Sequence, residues 1–299
     1  LNFFHKFWPE LLKKGFVSFL RTPIVKVTFD SDSTEKYFFT PQEYESFKSK
    51  LNESKYKFKY YKGLGSSTSK EAKDIFKEYY KNLITFEYSP KQDNKIFKLA
   101  FDKSFTGQRK EWIQERTGKN LDLVIKSKNV NISSFFNTAF VSFSIADCVR
   151  SIPNLMDGFK PTQRKIIHSF LKKGFKEYKV DQIRGFIAEQ TLYAHGEMSL
   201  NESIISMNHD FVGSNNINLL IPCGAFGSRI LGGKDAASPR YISTKLNPIV
   251  EFIFNDIDSK IIKYNQEGMI IIEPEFFVPV VPLLLINGST GIGTGYSTD

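Results

Sequence analysis

Over residues 211–242 the helical pattern gives way. Glycine and small polar residues crowd there: Gly213-Ser214-Asn215-Asn216, Gly224-Ala225-Phe226-Gly227-Ser228 and Gly232-Gly233-Lys234-Asp235-Ala236-Ala237-Ser238. Glycine loses the most backbone freedom on ordering and costs about 1 kcal/mol against alanine inside a helix. Such a stretch reads as loops with short strands. It lies between a mainly helical stretch over 135–206 and a helix resuming over 247–254.

The rest of the chain is more regular. Phe4, Phe7, Trp8, Leu11 and Leu12 recur at helical spacing and predict an amphipathic helix over 2–15, closed by Gly15. An alternating β-branched strand is expected over 24–29 and a helix over 41–51. Residues 55–60 alternate basic and aromatic, which predicts a strand with one buried aromatic face and one cationic face. The loop Lys62-Gly63-Leu64-Gly65 and a helix over 69–80 complete an α/β unit. Residues 89–98 are polar and read as a loop, 110–115 as a helix and 118–134 as a connector. The segment 269–286 reads as β-rich, closed by Gly288, Gly291, Gly293 and Gly295.

Composition excludes several classes. With 299 residues the length suggests two domains, and 41% hydrophobic against 24% charged residues excludes a disordered tail. No run of about 18 apolar residues occurs, so no membrane span is expected. Lys plus Arg total 41 against 32 acids, a net charge of +9. That balance suits a polyanionic partner, and equally a solvated basic surface. Two cysteines, Cys148 and Cys223, exclude a disulfide scaffold and a thiolate zinc cluster. A reducing compartment is expected. The chain starts at Leu1 and stops in mid-pattern, as a piece of a larger protein would.

Five motifs carry chemistry. Around Lys62 the glycines and the hydroxyls of Ser66, Ser67, Thr68 and Ser69 lead into a helix start, which favours an anion; a capped turn is the plainer alternative. The second motif runs from Arg150 to Lys165. Asp157-Gly158 makes a turn, Pro161 suits the first helical position, and Lys160, Arg164 and Lys165 gather near that start as a phosphate seat or a solvated face. His195 beside Glu197 suggests acid/base work, without the second histidine of a zinc protease. Tyr241 follows Arg240 directly, with Arg229 and Lys234 upstream. A phenol with a pKa of about 10 is a weak nucleophile, and neighbouring cations favour its phenolate; a tyrosine that only hydrogen-bonds is the bland reading. Ile292 stands between glycines at a predicted loop tip, as a wedge entering a base step would, or as part of a hairpin turn.

In this order the motifs resemble the breakage-reunion core of eukaryotic-type type IIA DNA topoisomerases, those of large DNA viruses included. The blocks Asn208-His209-Asp210-Phe211-Val212-Gly213-Ser214-Asn215-Asn216 and Gly232-Gly233-Lys234-Asp235-Ala236-Ala237-Ser238-Pro239-Arg240-Tyr241 carry the resemblance most strongly. It implies a multidomain α+β fold. Residues 1–120 would be the end of an α/β TOPRIM domain, 121–275 a mainly helical winged-helix domain, and 276–299 the start of a β-rich tower.

It also implies roles. Tyr241 would be the nucleophile forming a 5′-phosphotyrosyl link, with Arg240 and His195 on the scissile phosphate. Lys62, Arg150, Lys160, Arg164, Lys165, Arg229 and Lys234 would meet DNA, Asp157 would support them, and Ile292 would bend the duplex. Mg²⁺ would be held by acids placed before Leu1, and ATP by a domain absent here, so no metal ligand is expected in this chain. Partners would be double-stranded DNA and a second copy of the chain, with no membrane. The location would be the nucleus, or host cytoplasm for a virus. The alternatives are a non-catalytic DNA-bending protein and a bacterial gyrase-like protein; in the latter the TOPRIM and tyrosine parts usually lie on separate chains.

Overall fold

Pro9 divides the first expected helix. The chain forms α1 (Asn2–Phe7) and α2 (Pro9–Lys13), parted at Trp8, whose φ of −141° and ψ of 60° leave helical space. A proline ring crowds the residue before it out of the helical region, and the apolar spacing does not register this. The computed structural model describes residues 1–30, 33–49, 56–61, 65, 67–123, 125, 127–267 and 270–298. They divide into two compact units, Leu1–Ile145 and Ala146–Asp299.

The first unit continues with β1 (Ser18–Leu20), β2 (Val25–Phe29), β3 (Glu35–Phe38), α3 (Pro41–Lys48), β4 (Tyr56–Tyr60) and α4 (Ser69–Lys77). Next come α5 (Tyr79–Asn82), β5 (Leu83–Glu87), α6 (Pro90–Phe101), α7 (Thr106–Gln114), β6 (Asn129–Asn131) and α8 (Ile132–Phe135). One antiparallel sheet has the order β3-β2-β4. Its β-branched Val25 and Val27 are buried against Phe38 and Tyr44, as alternation in β2 requires. In the other sheet β5 pairs antiparallel with β1 and parallel with β6.

The expected faces of β4 are reversed. Phe58 and Tyr60 are each 56% exposed on this edge strand. The cationic side is covered instead: Glu71 of α4 takes Lys26 at 2.6 Å and Lys59 at 2.8 Å. Burial alone would raise the Glu71 pKa, but the two ammonium groups hold its carboxyl well below the usual range. Glu71 also closes a capping box: its backbone N–H donates to Thr68 Oγ1 at 3.3 Å, and Thr68 N–H donates to its carboxylate at 2.8 Å. Lys62, Gly63, Leu64 and Ser66 of the expected anion loop lie outside the described residues.

Polar composition misled at 89–98, which is not a loop but most of helix α6. Pro90 occupies its first turn and the Asp93 carboxylate accepts from Ser89 N–H at 2.6 Å. Only its second half turns an apolar stripe inward, through Ile96, Phe97 and Ala100. The connector 118–134 likewise gives β6 and the start of a helix. That helix, Ile132–Ser151, has 20 residues and a mean hydropathy of 1.3, long and apolar enough by that measure to cross a membrane, contrary to expectation. Ile132, Phe136 and Val141 on it are fully buried within the first unit.

The second unit holds α9 (Val141–Ser151, in which the boundary falls), α10 (Pro161–Lys173), β7 (Tyr178–Lys179), α11 (Val180–Gln190), α12 (Glu197–Met207), β8 (Leu220–Cys223) and β9 (Ser243–Leu246). It ends with α13 (Ile249–Ile253), β10 (Tyr264–Glu267), β11 (Ile270–Pro274), α14 (Leu283–Asn287), β12 (Gly291–Gly293) and β13 (Tyr296–Thr298). Its core gathers Ile166, Ile167 and Phe170 from α10, Ile183 and Ile187 from α11, and Leu200 and Ile204 from α12. Each side chain of that size contributes about 1.5–3 kcal/mol of transfer free energy when fully buried. The antiparallel sheet β7-β9-β8 closes the core with Leu220 and Leu246. Phe277 and Leu283 join the same core, so the chain beyond 275 is not a separate body. The C-terminal segment is also less β-rich than expected, because 283–287 is helical.

Candidate active site

Helix α10 begins where the sequence places it. Pro161 holds the first helical position, and Lys160 N–H donates to Gln163 Oε1 at 2.8 Å. This start, the end of α9, the 191–196 loop and one face of α12 surround a pocket of about 550 Å³. Arg150, Lys160 and His195 line it together, although 45 residues of sequence separate the first from the last. The His195 ring stands edge-on to Tyr193, with centroids 5.3 Å apart, and is exposed. Arg150 is exposed and reaches Asp147 at 2.6 Å. Two cations and an imidazole facing one cavity suit a phosphodiester.

Further lining comes from residues that motif reading passed over: Thr162, Gln163, Ser199, Ser203 and Ser206. The three serines fall at i, i+4 and i+7 on α12. That helical stripe of hydroxyls was open to view in the sequence.

Arg164 and Lys165 do not join them, which corrects their expected role on DNA. The Arg164 guanidinium is 4% exposed and forms two parallel hydrogen bonds to Asp157, at 2.7 and 3.0 Å. Asp157 is completely buried and also accepts from the backbone N–H groups of Phe159 and Phe277, both at 2.9 Å. Four donors on one carboxylate make this a structural knot beneath the pocket. The Lys165 ammonium is bound to Glu273 at 2.6 Å and to the Thr191 carbonyl at 2.9 Å. One turn of helix carries 160, 163, 164 and 165, but only the first two face the cavity. The acid/base pairing suggested for His195 and Glu197 is absent too: Glu197 turns to Arg184 at 3.1 Å.

Tyr241 and Arg240 stand apart from this pocket and do not line it. The Tyr241 side chain is 73% exposed on a firmly held backbone. Its N–H donates to the Ser238 carbonyl at 2.9 Å, and Ile242, next in sequence, is 2% exposed and accepts from Val180 N–H at 3.1 Å. The Arg240 guanidinium lies 6.0 Å from the Tyr241 ring centroid. Among the described residues, no acidic side chain lies within ion-pair distance of Arg229, Lys234 or Arg240, and all three are exposed.

The glycine-rich loop before the tyrosine is packed rather than slack. A Cβ on Gly233, whose φ is +80°, would fall on the His209 ring, and one on Gly227 would lie 2.6 Å from Gly233 backbone. Ser228 N–H is held by Asp235 at 2.8 Å. Only glycine lets these backbones approach so closely.

Ile292 is 79% exposed. It is not at a loop tip but on strand β12, paired with Ser297 of β13. A groove of about 680 Å³ shares Lys160, Gln163 and Ser206 with the pocket and continues along Asn215, Asn216 and residues 287–290. Among the described residues, no three His, Cys, Asp or Glu side chains come close enough to hold a metal.

Comparison with known proteins agrees with this geometry. Residues 150–299 match the family model for DNA gyrase/topoisomerase IV, and residues 20–148 that for the C-terminal associated domain of TOPRIM. The mitochondrial DNA topoisomerase 2 of Dictyostelium discoideum is 45% identical over the whole of this chain, and DNA topoisomerase 2 of Plasmodium falciparum (isolate K1 / Thailand) is 48% identical. This chain spans 23% and 21% of those proteins' lengths. The crystal structure of the Plasmodium falciparum topoisomerase II DNA-binding, cleavage and re-ligation domain superposes with a TM-score of 0.79 at 47% identity, covering 99% of this chain and 40% of that one. A match to the gyrase/topoisomerase IV model over half of the residues, joined to topoisomerase 2 similarity along the rest, settles kinship: the chain belongs to the type IIA DNA topoisomerase family.

Proposed function

We propose that this chain is the strand-cleaving core of a type II DNA topoisomerase that passes one duplex through another and so relaxes or decatenates DNA. On this reading the first unit is the end of the TOPRIM region. The second unit is the winged-helix domain running into the start of the tower. The observation that carries the proposal is Tyr241: a phenol exposed to solvent, on a backbone anchored by buried Ile242, beside an exposed guanidinium that no described acid takes up.

The reaction is a transesterification. The Tyr241 oxygen attacks a DNA phosphorus, the bond from phosphorus to the 3′ oxygen breaks, and a 5′-phosphotyrosyl ester forms. The phenol loses its proton and the departing 3′ hydroxyl gains one. Ester bond energy is kept, so reversal reseals the strand. Arg240 neutralises the charge that grows on the phosphate. The pocket of Arg150, Lys160 and His195 holds backbone phosphate, and exposed Ile292 opens a base step. Two copies, one per strand, make the double-strand break.

Contacts of this kind read phosphate rather than bases, so binding falls steeply with salt. Mg²⁺ and ATP are cofactors of the whole enzyme on this reading; this chain's described residues supply no metal site, and no step above depends on one. The enzyme acts wherever duplex DNA is kept in the cell; one relative is named mitochondrial.

Tyr241→Phe in the full-length protein tests the proposal against a purely architectural DNA-bending role. Covalent protein–DNA adducts, trapped with denaturant, are expected to vanish while duplex binding persists. Adducts formed undiminished by the variant would remove Tyr241 as nucleophile.

A further inference from the structure

We infer that Asp147 is a positioning residue that ties the Ile292 hairpin to the arginine of the phosphate pocket; the inference rests on the DNA-bending and cleavage reading above. A carboxylate on a surface that receives phosphates weakens binding by repulsion. Its two hydrogen bonds show what it does instead. Oδ1 accepts from Arg150 Nη2 at 2.6 Å, and Oδ2 accepts from Thr294 Oγ1 at 3.1 Å. Arg150 lines the pocket with Lys160 and His195. Thr294 begins the turn between β12 and β13, two residues after Ile292.

The hairpin rests directly on the end of α9. A Cβ on Gly291 would lie 2.5 Å from the Ser151 carbonyl oxygen, and one on Gly293 would lie 3.1 Å from Cys148 Cα. Cys148 Sγ donates to the Thr294 carbonyl at 3.4 Å. Backbone contact sets where the hairpin lies, and the Asp147 bond sets how its turn is held. The hydrogen bond from Arg150 is the largest influence keeping the Asp147 carboxyl below its ordinary pKa, with Thr294 adding to it.

The pair is asymmetric: the Arg150 side chain is 56% exposed and that of Asp147 is 18%. Arg150 is therefore the partner free to turn towards a DNA phosphate, while Asp147 stays with Thr294. One side chain thus links phosphate capture to the wedge.

The test uses the full-length protein and a duplex labelled at both ends. Bending is read by fluorescence transfer, and affinity is read across a salt series. Asp147→Ala and Thr294→Val are each expected to reduce bending to the same extent, without loss of affinity, and the double variant no further than either. Asp147→Asn keeps an oxygen for the Thr294 hydroxyl and restores bending. It also releases Arg150, which steepens the salt slope by about one unit, and this steepening disappears in an Arg150→Ala background. Wild-type bending by Asp147→Ala, additive losses in the double variant, or affinity and melting temperature falling together with bending would each overturn the inference. If the wild-type protein itself neither bends nor cleaves DNA, the functional reading falls and this inference with it. If it does both and Asp147→Ala bends equally well, the inference alone fails.

Discussion

The Asp157 carboxylate and the Arg164 guanidinium meet as a buried fork, 2.7 Å and 3.0 Å across its two prongs. A third bond runs from Arg164 Nη2 to the Phe159 carbonyl at 3.1 Å. Removing one partner leaves an uncompensated charge inside the protein, so Arg164→Ala is expected to cost about 3–5 kcal/mol of stability. Replacing both partners by apolar groups should cost less. Denaturant unfolding measures both variants. The salt slope of DNA binding should hardly change for Arg164→Leu paired with Asp157→Leu, if that protein folds, and should fall by about one for Lys160→Ala. A reduced slope in the paired variant would return Arg164 to the DNA surface.

Gly233→Ala tests whether the loop before Tyr241 is set by backbone contact. The added methyl collides with the His209 ring, and the backbone is at φ +80°. His209 cannot withdraw freely, because its ring stacks on Phe211 with centroids 5.0 Å apart. A loss of about 1–3 kcal/mol follows from the strained backbone, and adduct formation should fall more than duplex affinity. Unaltered adduct yield would mean the loop tolerates the shift.

Ile292→Ala should reduce duplex bending more than binding. The side chain is 79% exposed and makes little contribution to the core, so stability should stay within about 0.5 kcal/mol. Fluorescence transfer across a labelled duplex reads the bend. An unchanged bend would leave the residue without the wedge role.

His168 predicts an acid limit to stability. Burial first, and the charge of Lys172 second, push its pKa down to about 4. The unfolded residue titrates near 6.5, so between these values the unfolded chain binds more protons than the folded one. The neutral ring's contribution is complete above about pH 6.5 and is lost as pH falls towards 4. Unfolding free energy should therefore drop between pH 7 and pH 5 in the wild type, and drop less in His168→Gln. Parallel declines would assign the acid sensitivity to other groups.

Local chemistry was legible where neighbours in sequence are neighbours in space. The Thr68 and Glu71 capping box, Pro161 at the start of α10 and the alternation of β2 all follow from residues within a few positions of one another. The kinship of the chain was legible for the same reason, because its motifs are continuous runs. Polar composition over 89–98 hid helix α6, since only Ile96, Phe97 and Ala100 on its inner side reveal what it covers.

Tertiary structure alone decided which charges are spent and which remain available. Lys160, Arg164 and Lys165 look alike in sequence, yet Glu273 takes one, Asp157 takes another with help from the Phe277 amide, and the third is left facing the cavity. Those partners lie up to 120 positions away along the chain. Burial converts a cation into a structural tie because desolvation forces it to find an acid. No local pattern encodes which side of a helix will be desolvated by segments that distant.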